Sequence, residues 1–445
     1  MAGTQARTQV SVSERAQRLG LRMLRRVGGL PLMQRSEART RVERILYHGA
    51  RQGFRAELVA RRAFARRSGP ATPSRAALAR PGREFDLTPT EDQQMLQAAA
   101  RELADEVIRP AAAQADVDRA VPEKVRTAAW SMGTGLVGVP TALDGIAEER
   151  SAVTMALVIE ELARGDMGIA VSLLAPAAVA AALASYGSAD QQATYLPAFT
   201  GSDSSVAAAL ALMEPQPLYD PLKPCTSART ERDHLVIDGV KALVPAADVA
   251  DLFVISADLE GAPRLVIVEP GTAGLSAEDD PAMGLRAAAT RRLVLEGVRV
   301  PRSGLLGTAD DLVDAVRRSR LAWAAAAVGT AQAVLDQVVP YVKQRTAFGE
   351  PIGHRQAVAF TVADIAIELA GLRLLVWKAA SRLDRGEDAS AEIAQARQLA
   401  ATYGTQIGSD GVQLLGGHGF VKEFDNERWF RDLRAAGVLE GTLLL

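Results

Sequence analysis

Cysteine is almost missing from this 445-residue chain: Cys225 is the single one. One thiol excludes an intramolecular disulfide and fits a reducing compartment. Histidine is nearly as scarce, and His48, His234, His354 and His418 stand too far apart for a metal-ligand spacing, so no metal site is expected. The longest apolar stretches read as broken by charge. The best membrane candidate, AVAFTVADIAIELAGLRLLVWKAA at 357–380, carries Asp364, Glu368, Arg373 and Lys378, which suits a buried helix of a soluble protein better than a bilayer span.

Lysine is absent from residues 1–84, which hold 19 Arg against 5 acids. The rest of the chain reverses the sign, with 32 basic and 48 acidic side chains, so the net charge of -2 conceals a basic arm ahead of an acidic body. The arm contains the helical patches LGLRMLRRVGG and RVERILYHGARQGFRAELVARRAF and closes on the linker SGPATPSRAALARPG. Docking or oligomer contact, contact with an anionic membrane surface, and targeting or disorder all stay open for it. Few aromatics and no recognition motif argue against nucleic acid. The expected location is cytoplasmic, with peripheral membrane association through the arm and mitochondrial targeting as the other readings.

The length asks for two or three packed subdomains. From Phe85 the stretch LTPTEDQQMLQAAARELADEV opens with a Thr cap and acids in the first turn, then shows helical periodicity, and Pro110 predicts a stop near Arg109. SAVTMALVIEELAR and AAVAAALASYG continue the helices to about residue 200. A strand-rich stretch follows: Asp238-Gly239 in HLVIDGVKALV predicts a hairpin turn, and LFVIS, RLVIVE and RRLVLEGVRV are further strands. Three long helical segments then close the chain, the first bent or interrupted at Pro340, and their short connections favour an antiparallel bundle. The expected fold class is α+β, mostly α: an extension at 1–84, an N-terminal helical domain at 85–204, a middle β-barrel or sheet domain at 205–305, and a C-terminal helical bundle at 306–445.

The chemistry concentrates in VQLLGGHGFVKEFDNERWFRDLRAAGVLEGT, residues 412–442. A helix running into Gly416-Gly417 and Gly419 lets backbone N–H groups approach a phosphate or a dinucleotide, although a plain helix C-cap has the same look. RTAFGEPIGHRQ, residues 345–356, pairs an arginine with an aromatic, a glycine turn and a glutamine just inside the next helix. Near the C-terminal end, VLEGTLLL sets Glu440 among apolar residues. A base that removes a proton α to a thioester needs a pKa well above that of a solvated carboxylate, and apolar burial raises it.

Together with ERWFRD, and with FDLTPTEDQQML, RPAAAQAD, GLVGVP and IEELARGD upstream, these motifs resemble the acyl-CoA dehydrogenase family from about residue 85 onward. The resemblance implies an FAD-dependent enzyme of fatty acid metabolism that forms the α,β double bond of an acyl-CoA, with Glu440 as catalytic base and flavin as hydride acceptor. It implies that Gly441 lies beside the substrate thioester and Arg320 lines the acyl-CoA cleft. Thr442 and Met213 would stand near the flavin. Arg345, Phe348 and Gln356 would contact the FAD of a neighbouring subunit, and Gln413 with Gly416 and Gly417 the adenosine diphosphate half. A homodimer or tetramer and an electron-transfer flavoprotein as acceptor are implied as well. For Arg320 and Arg345 the plain alternative is a surface ion pair, and His418 reads as a solvent-exposed loop residue.

The chain departs from the family pattern on the ring side of the flavin. MEPQPLYD, residues 213–220, has Met213 where the family has a threonine, and Leu218-Tyr219 for a Gly-Ser pair. In GVKALVPAAD, residues 239–248, Leu243 and Pro245 replace a tryptophan and a hydroxyl residue. The polar stretch that follows EGT in the family is not present either. These departures raise the alternative of a non-catalytic or half-catalytic subunit of a heteromer, one that binds acyl-CoA or completes a partner's FAD site.

Overall fold

The computed structural model describes residues 87–146, 150–201 and 205–445. The expectations for the Arg-rich arm, residues 1–84, lie outside the described residues.

The first part is helical. Helix α1 (Glu91–Leu103) opens on Thr90, whose hydroxyl accepts from Gln93 N while the Gln93 side chain accepts from Thr90 N, a reciprocal cap. The stop predicted at Pro110 does not occur. A π-helical turn, Ala104–Ile108, leads straight into α2 (Arg109–Asp118), and this local widening of the helix accommodates Pro110, which has no N–H to donate. Helices α3 (Glu123–Ser131), α4 (Ala152–Gly165), α5 (Met167–Tyr186) and α6 (Ala189–Thr200) follow. Among the described residues the helix long and apolar enough to cross a membrane is α5, not the 357–380 stretch singled out from the sequence, and most of α5 is buried inside the protein. A helix that is apolar all round belongs in a core as readily as in lipid.

The middle part is an eight-stranded sheet made of β1 (Ala208–Ala211), β2 (Ser227–Glu231), β3 (His234–Pro245), β4 (Leu252–Leu259), β5 (Ala262–Val268), β6 (Leu275–Asp279), β7 (Thr290–Pro301) and β8 (Leu305–Leu306). Its order is β6-β7-β3-β2-β4-β5-β8, with β1 paired in parallel to β4. The predicted hairpin at Asp238-Gly239 is displaced: the turn falls at Arg232-Asp233, where Glu231 faces His234, and Gly239 lies inside β3. There it marks a register shift against β7 and lets the strand approach Thr226, whose atoms a Cβ would meet at 2.6 Å.

Helix α7 (Ala309–Gln344) begins the last part and runs unbroken through Pro340. A small ribbon, β9 (Thr346–Ala347) with β10 (Glu350–Pro351), leads to α8 (Gln356–Asp384), α9 (Ser390–Leu415) and the short α10 (Asn426–Leu433). One apolar core joins α1, α4, α5 and α7 to α10 around Trp323 and Trp429. A second core, containing Leu210, Leu212, Leu312 and Leu444, joins α5, β1 and the start of α7. The architecture is therefore helices, sheet, helices, with β1 set between the sheet and both helical parts.

Beneath β1 lies a fully buried ion pair. Lys241 Nζ donates to Glu214 Oε1 at 2.6 Å and to Ser256 Oγ at 2.9 Å. Burial pushes the Lys241 ammonium down to about 8. For Glu214, burial acts upward, but Lys241 and the Thr226 N–H outweigh it and hold the carboxyl below its usual range. The pair is thus ionised at neutral pH, and it ties β3 to the chain just after β1. Losing one partner strands a buried charge, so Lys241→Met should lower unfolding free energy by about 3–5 kcal/mol, with Glu214→Gln added on top recovering part of it. Urea denaturation measures both; an unchanged midpoint for Lys241→Met would refute this role.

Candidate active site

Glu440 follows α10 and is 6% exposed. The sequence places it among apolar residues, yet the folded chain brings two guanidiniums to its carboxylate, so the purely apolar setting expected for the base is not what the fold provides. Arg320 on α7 donates from Nε to Oε1 and Oε2, both at 3.0 Å, and from Nη2 to Oε1 at 2.9 Å. Arg397 on α9 donates from Nη2 to Oε1 at 3.2 Å. Apolar neighbours in sequence are not the neighbours in space, because α7 and α9 present their arginines from more than 40 residues away. Arg320 thus meets Glu440 rather than standing free. Arg397, absent from the sequence-based set, sits in AEIAQARQLAATYG, where its spacing gives no sign of a carboxylate partner.

The residues after Glu440 are held as firmly. Gly441 O accepts from Ser319 Oγ and Trp323 Nε1, each at 2.9 Å. Gly441 forms a β-bridge with Ala211, and Thr442 N donates to Leu210 O at 2.8 Å. Gly441 has φ +78°, and a Cβ there would meet Leu210 O at 2.8 Å, so both backbone and space require glycine. Thr442 adopts φ 68°, an uncommon conformation for a β-branched residue. Leu443, Leu444 and Leu445 are buried, and Arg150 donates to Leu445 O.

The bulky residues of the MEPQPLYD segment have distinct fates. Leu218 is fully exposed with φ 55°, whereas the Tyr219 hydroxyl turns inward and donates to Leu212 O at 2.7 Å. Burial pushes the Tyr219 phenol up, with Glu214 and Glu440 adding to the effect. Half-buried Met213 offers its carbonyl to Ala242 N at 2.9 Å. Leu243, at φ 54°, donates its N–H to Asp280 Oδ2 at 2.9 Å. Two cavities flank the end of β3: one of about 230 Å³ lined by Leu243, Met283, Leu285, Val438 and Leu439, and one of about 400 Å³ lined by Trp130, Ser172, Pro176 and Pro245.

The other predicted residues lie elsewhere. Arg345, Phe348 and Gln356 are exposed around the β9–β10 ribbon, Phe348 with φ 56° and its ring 5.6 Å from the Arg355 guanidinium. Gln413, Gly416 and Gly417 are exposed at the end of α9. His418 has partners after all: its Nδ1 lies 2.9 Å from the Tyr341 hydroxyl and its ring stacks on Phe424 at 5.0 Å.

Family models for the acyl-CoA dehydrogenase N-terminal, middle and C-terminal domains match residues 90–203, 209–298 and 311–443. The mitochondrial short-chain specific acyl-CoA dehydrogenase of Bos taurus is 32% identical over 370 residues, 79% of this chain and 87% of that protein. The chain belongs to the acyl-CoA dehydrogenase family. Butyryl-CoA dehydrogenase from Megasphaera elsdenii shares its fold with TM-score 0.73 at 26% identity, covering 80% of this chain and 95% of that one. An FAD complex of PigA is similar with TM-score 0.74 at 25% identity, covering 80% and 95%. Members of the family are FAD-dependent oxidoreductases acting on acyl-CoA.

For the adenosine side of FAD, the residues of this acyl-CoA dehydrogenase fit. A Cβ at Gly416 or Gly417 would meet nothing within 4 Å, so the backbone of that turn is open to a ligand, with Gln413 one turn upstream. In β1 and just after it, the carbonyls of Leu210, Leu212 and Met213 are already paired within the chain. The loop before Glu440 is anchored by Asp432, which accepts from Leu285 N at 2.6 Å. Burial, reinforced by Asp166, pushes the Asp432 carboxyl up to about 7.

Two predictions follow from this geometry. Gly417→Glu should fold as well as the parent, within about 0.5 kcal/mol, while weakening FAD binding at least about tenfold through charge and bulk at the open turn; fluorescence titration and thermal melts check the two parts. Because its folded pKa is raised, Asp432 holds its proton in the native state where the unfolded chain has lost it, so it subtracts stability progressively as pH rises from about 4 to about 7. Asp432→Asn should therefore gain stability relative to the parent at pH 8 and little at pH 4, as read by urea melts at the two pH values.

Proposed function

We propose that this chain forms the α,β double bond of an acyl-CoA thioester, with Glu440 taking the α-proton. The observation that carries the reading is the Glu440 carboxylate itself: buried, held from two helices, with Oε1 meeting three N–H donors and Oε2 a single one. Oε2 therefore keeps a lone pair for a proton. Fixed placement of the base supplies much of the rate in a proton abstraction of this kind. Gly441 beside it leaves room for backbone to approach a thioester. Gln413, Gly416 and Gly417 would hold the adenosine side of FAD, and Arg345, Phe348 and Gln356 that of a neighbouring subunit. When bound, FAD supplies the two-electron acceptor that amino-acid side chains lack, and an electron-transfer flavoprotein is the proposed acceptor after it.

The neighbouring subunit is supported by one face of α8. Phe360, Ile367 and Leu374 recur every seventh residue and are 57%, 69% and 54% exposed. With Phe348 exposed eight residues ahead of α8, this stripe suits association with a second copy.

A second reading is favoured by the paired ring-side edge of β1: the chain completes the FAD site of a related partner while its own ring side stays closed by Tyr219 and Thr442. One experiment separates the two. Incubated with butyryl-CoA in D2O, the purified protein should introduce deuterium at the α-carbon, and Glu440→Gln should slow this by about 10²- to 10⁴-fold. Exchange that survives in Glu440→Gln refutes Glu440 as the base; no exchange in either protein, with activity appearing on co-expression with a related subunit, supports the second reading.

A further inference from the structure

Arg397 is an expensive side chain in this position. It is 15% exposed, and α9 is fixed on either side of it by buried Ala396 and Ala400. A guanidinium carries five N–H donors. Among the described residues, Nη2 donates to Glu440, and Nη1 is buried with no partner. Burial pushes the guanidinium below its ordinary value, and neighbouring Arg320 pushes the same way against the pull of Glu440. An apolar side chain of similar length would fill the space without stranding a donor, and Glu440 would keep Arg320 as its partner. Local rules broken without structural compensation are expected where function demands them.

The geometry shows what that demand is. Arg320 alone contacts both oxygens, Oε1 from Nε and Nη2 and Oε2 from Nε. Arg397 adds a third donor to Oε1 and none to Oε2, and it does so from a second helix, so Oε1 is held from two directions and Oε2 from one. We propose that Arg397 is a positioning residue, fixing Oε1 of Glu440 so that Oε2 is the atom presented to the substrate α-carbon.

The proposal rests on the reading of Glu440 as the α-proton acceptor. In that step the α C–H bond breaks, the proton passes to Oε2, and the electron pair stays on the thioester as its enolate. Glu440 becomes neutral while both guanidiniums keep their charge, so a positive field remains beside the new anion. Removing Arg397 takes away one of the two guanidiniums that orient the carboxylate, so the rate should fall.

The test follows α-deuterium incorporation into butyryl-CoA by the full chain in D2O for the parent, Arg397→Met and Arg397→Lys. The expected result is a fall of about tenfold or more for Arg397→Met, with partial rescue by Arg397→Lys and KM altered far less than the rate. Thermal melts show that each variant is folded at the assay temperature. An unchanged rate in Arg397→Met overturns the proposal. So does a rate that falls only in step with loss of folded protein, since that is the signature of a purely structural residue. A parent protein that binds butyryl-CoA but exchanges no α-proton overturns the dehydrogenase reading instead, and removes the step that Arg397 would serve.

Discussion

One carboxylate shared between two guanidiniums organises the centre of this molecule. Arg320 comes from α7 and Arg397 from α9, and Glu440 lies on the loop after α10, so three elements of the C-terminal bundle meet at a single group. The consequence extends to the sheet. Holding Glu440 in place brings Gly441 and Thr442 onto β1, where they pair with Ala211 and Leu210. Buried charges are costly unless paired, and this set carries two cations for one anion. A surplus of buried positive charge suits a site at which negative charge develops during reaction.

The second constraint is the β1 edge. Its carbonyls at Leu210, Leu212 and Met213 are satisfied by Thr442, Tyr219 and Ala242. Three unrelated segments therefore converge on four residues of backbone, and the buried Glu214–Lys241 pair underneath keeps that backbone in register. The positive φ angles at Leu218, Leu243 and Thr442 fall in the segments that do this pairing. Conformations of that kind persist where the surroundings over-determine them. The two regions thus differ: the backbone at 210–213 is tightly self-paired, and the turn at Gly416-Gly417 is open.

Much of the architecture was legible because periodicity and caps are local signals. The Thr90 cap, the strand-rich middle and the long bundle helices all appear where the sequence predicts them. The misreadings came from residues whose role is set by distant partners. Pro110 is accommodated by a π-helical turn, and Gly239 serves close approach to Thr226 rather than a hairpin. Glu440 stands out in the sequence as a lone acid in apolar company, a local feature. Its two arginines could not be seen, since 120 and 43 residues separate them from it in sequence. His418 lacked a visible partner for the same reason: Tyr341 lies on a different helix.

The central claim is that this acyl-CoA dehydrogenase family member carries out α-proton abstraction and β-hydride loss on an acyl-CoA. Anaerobic titration of the purified protein with butyryl-CoA, followed in the visible flavin band, addresses it most directly. The account predicts yellow protein whose absorbance bleaches stoichiometrically as substrate is added. Protein that stays colourless after reconstitution with FAD, or a flavin band that acyl-CoA leaves untouched, would contradict it.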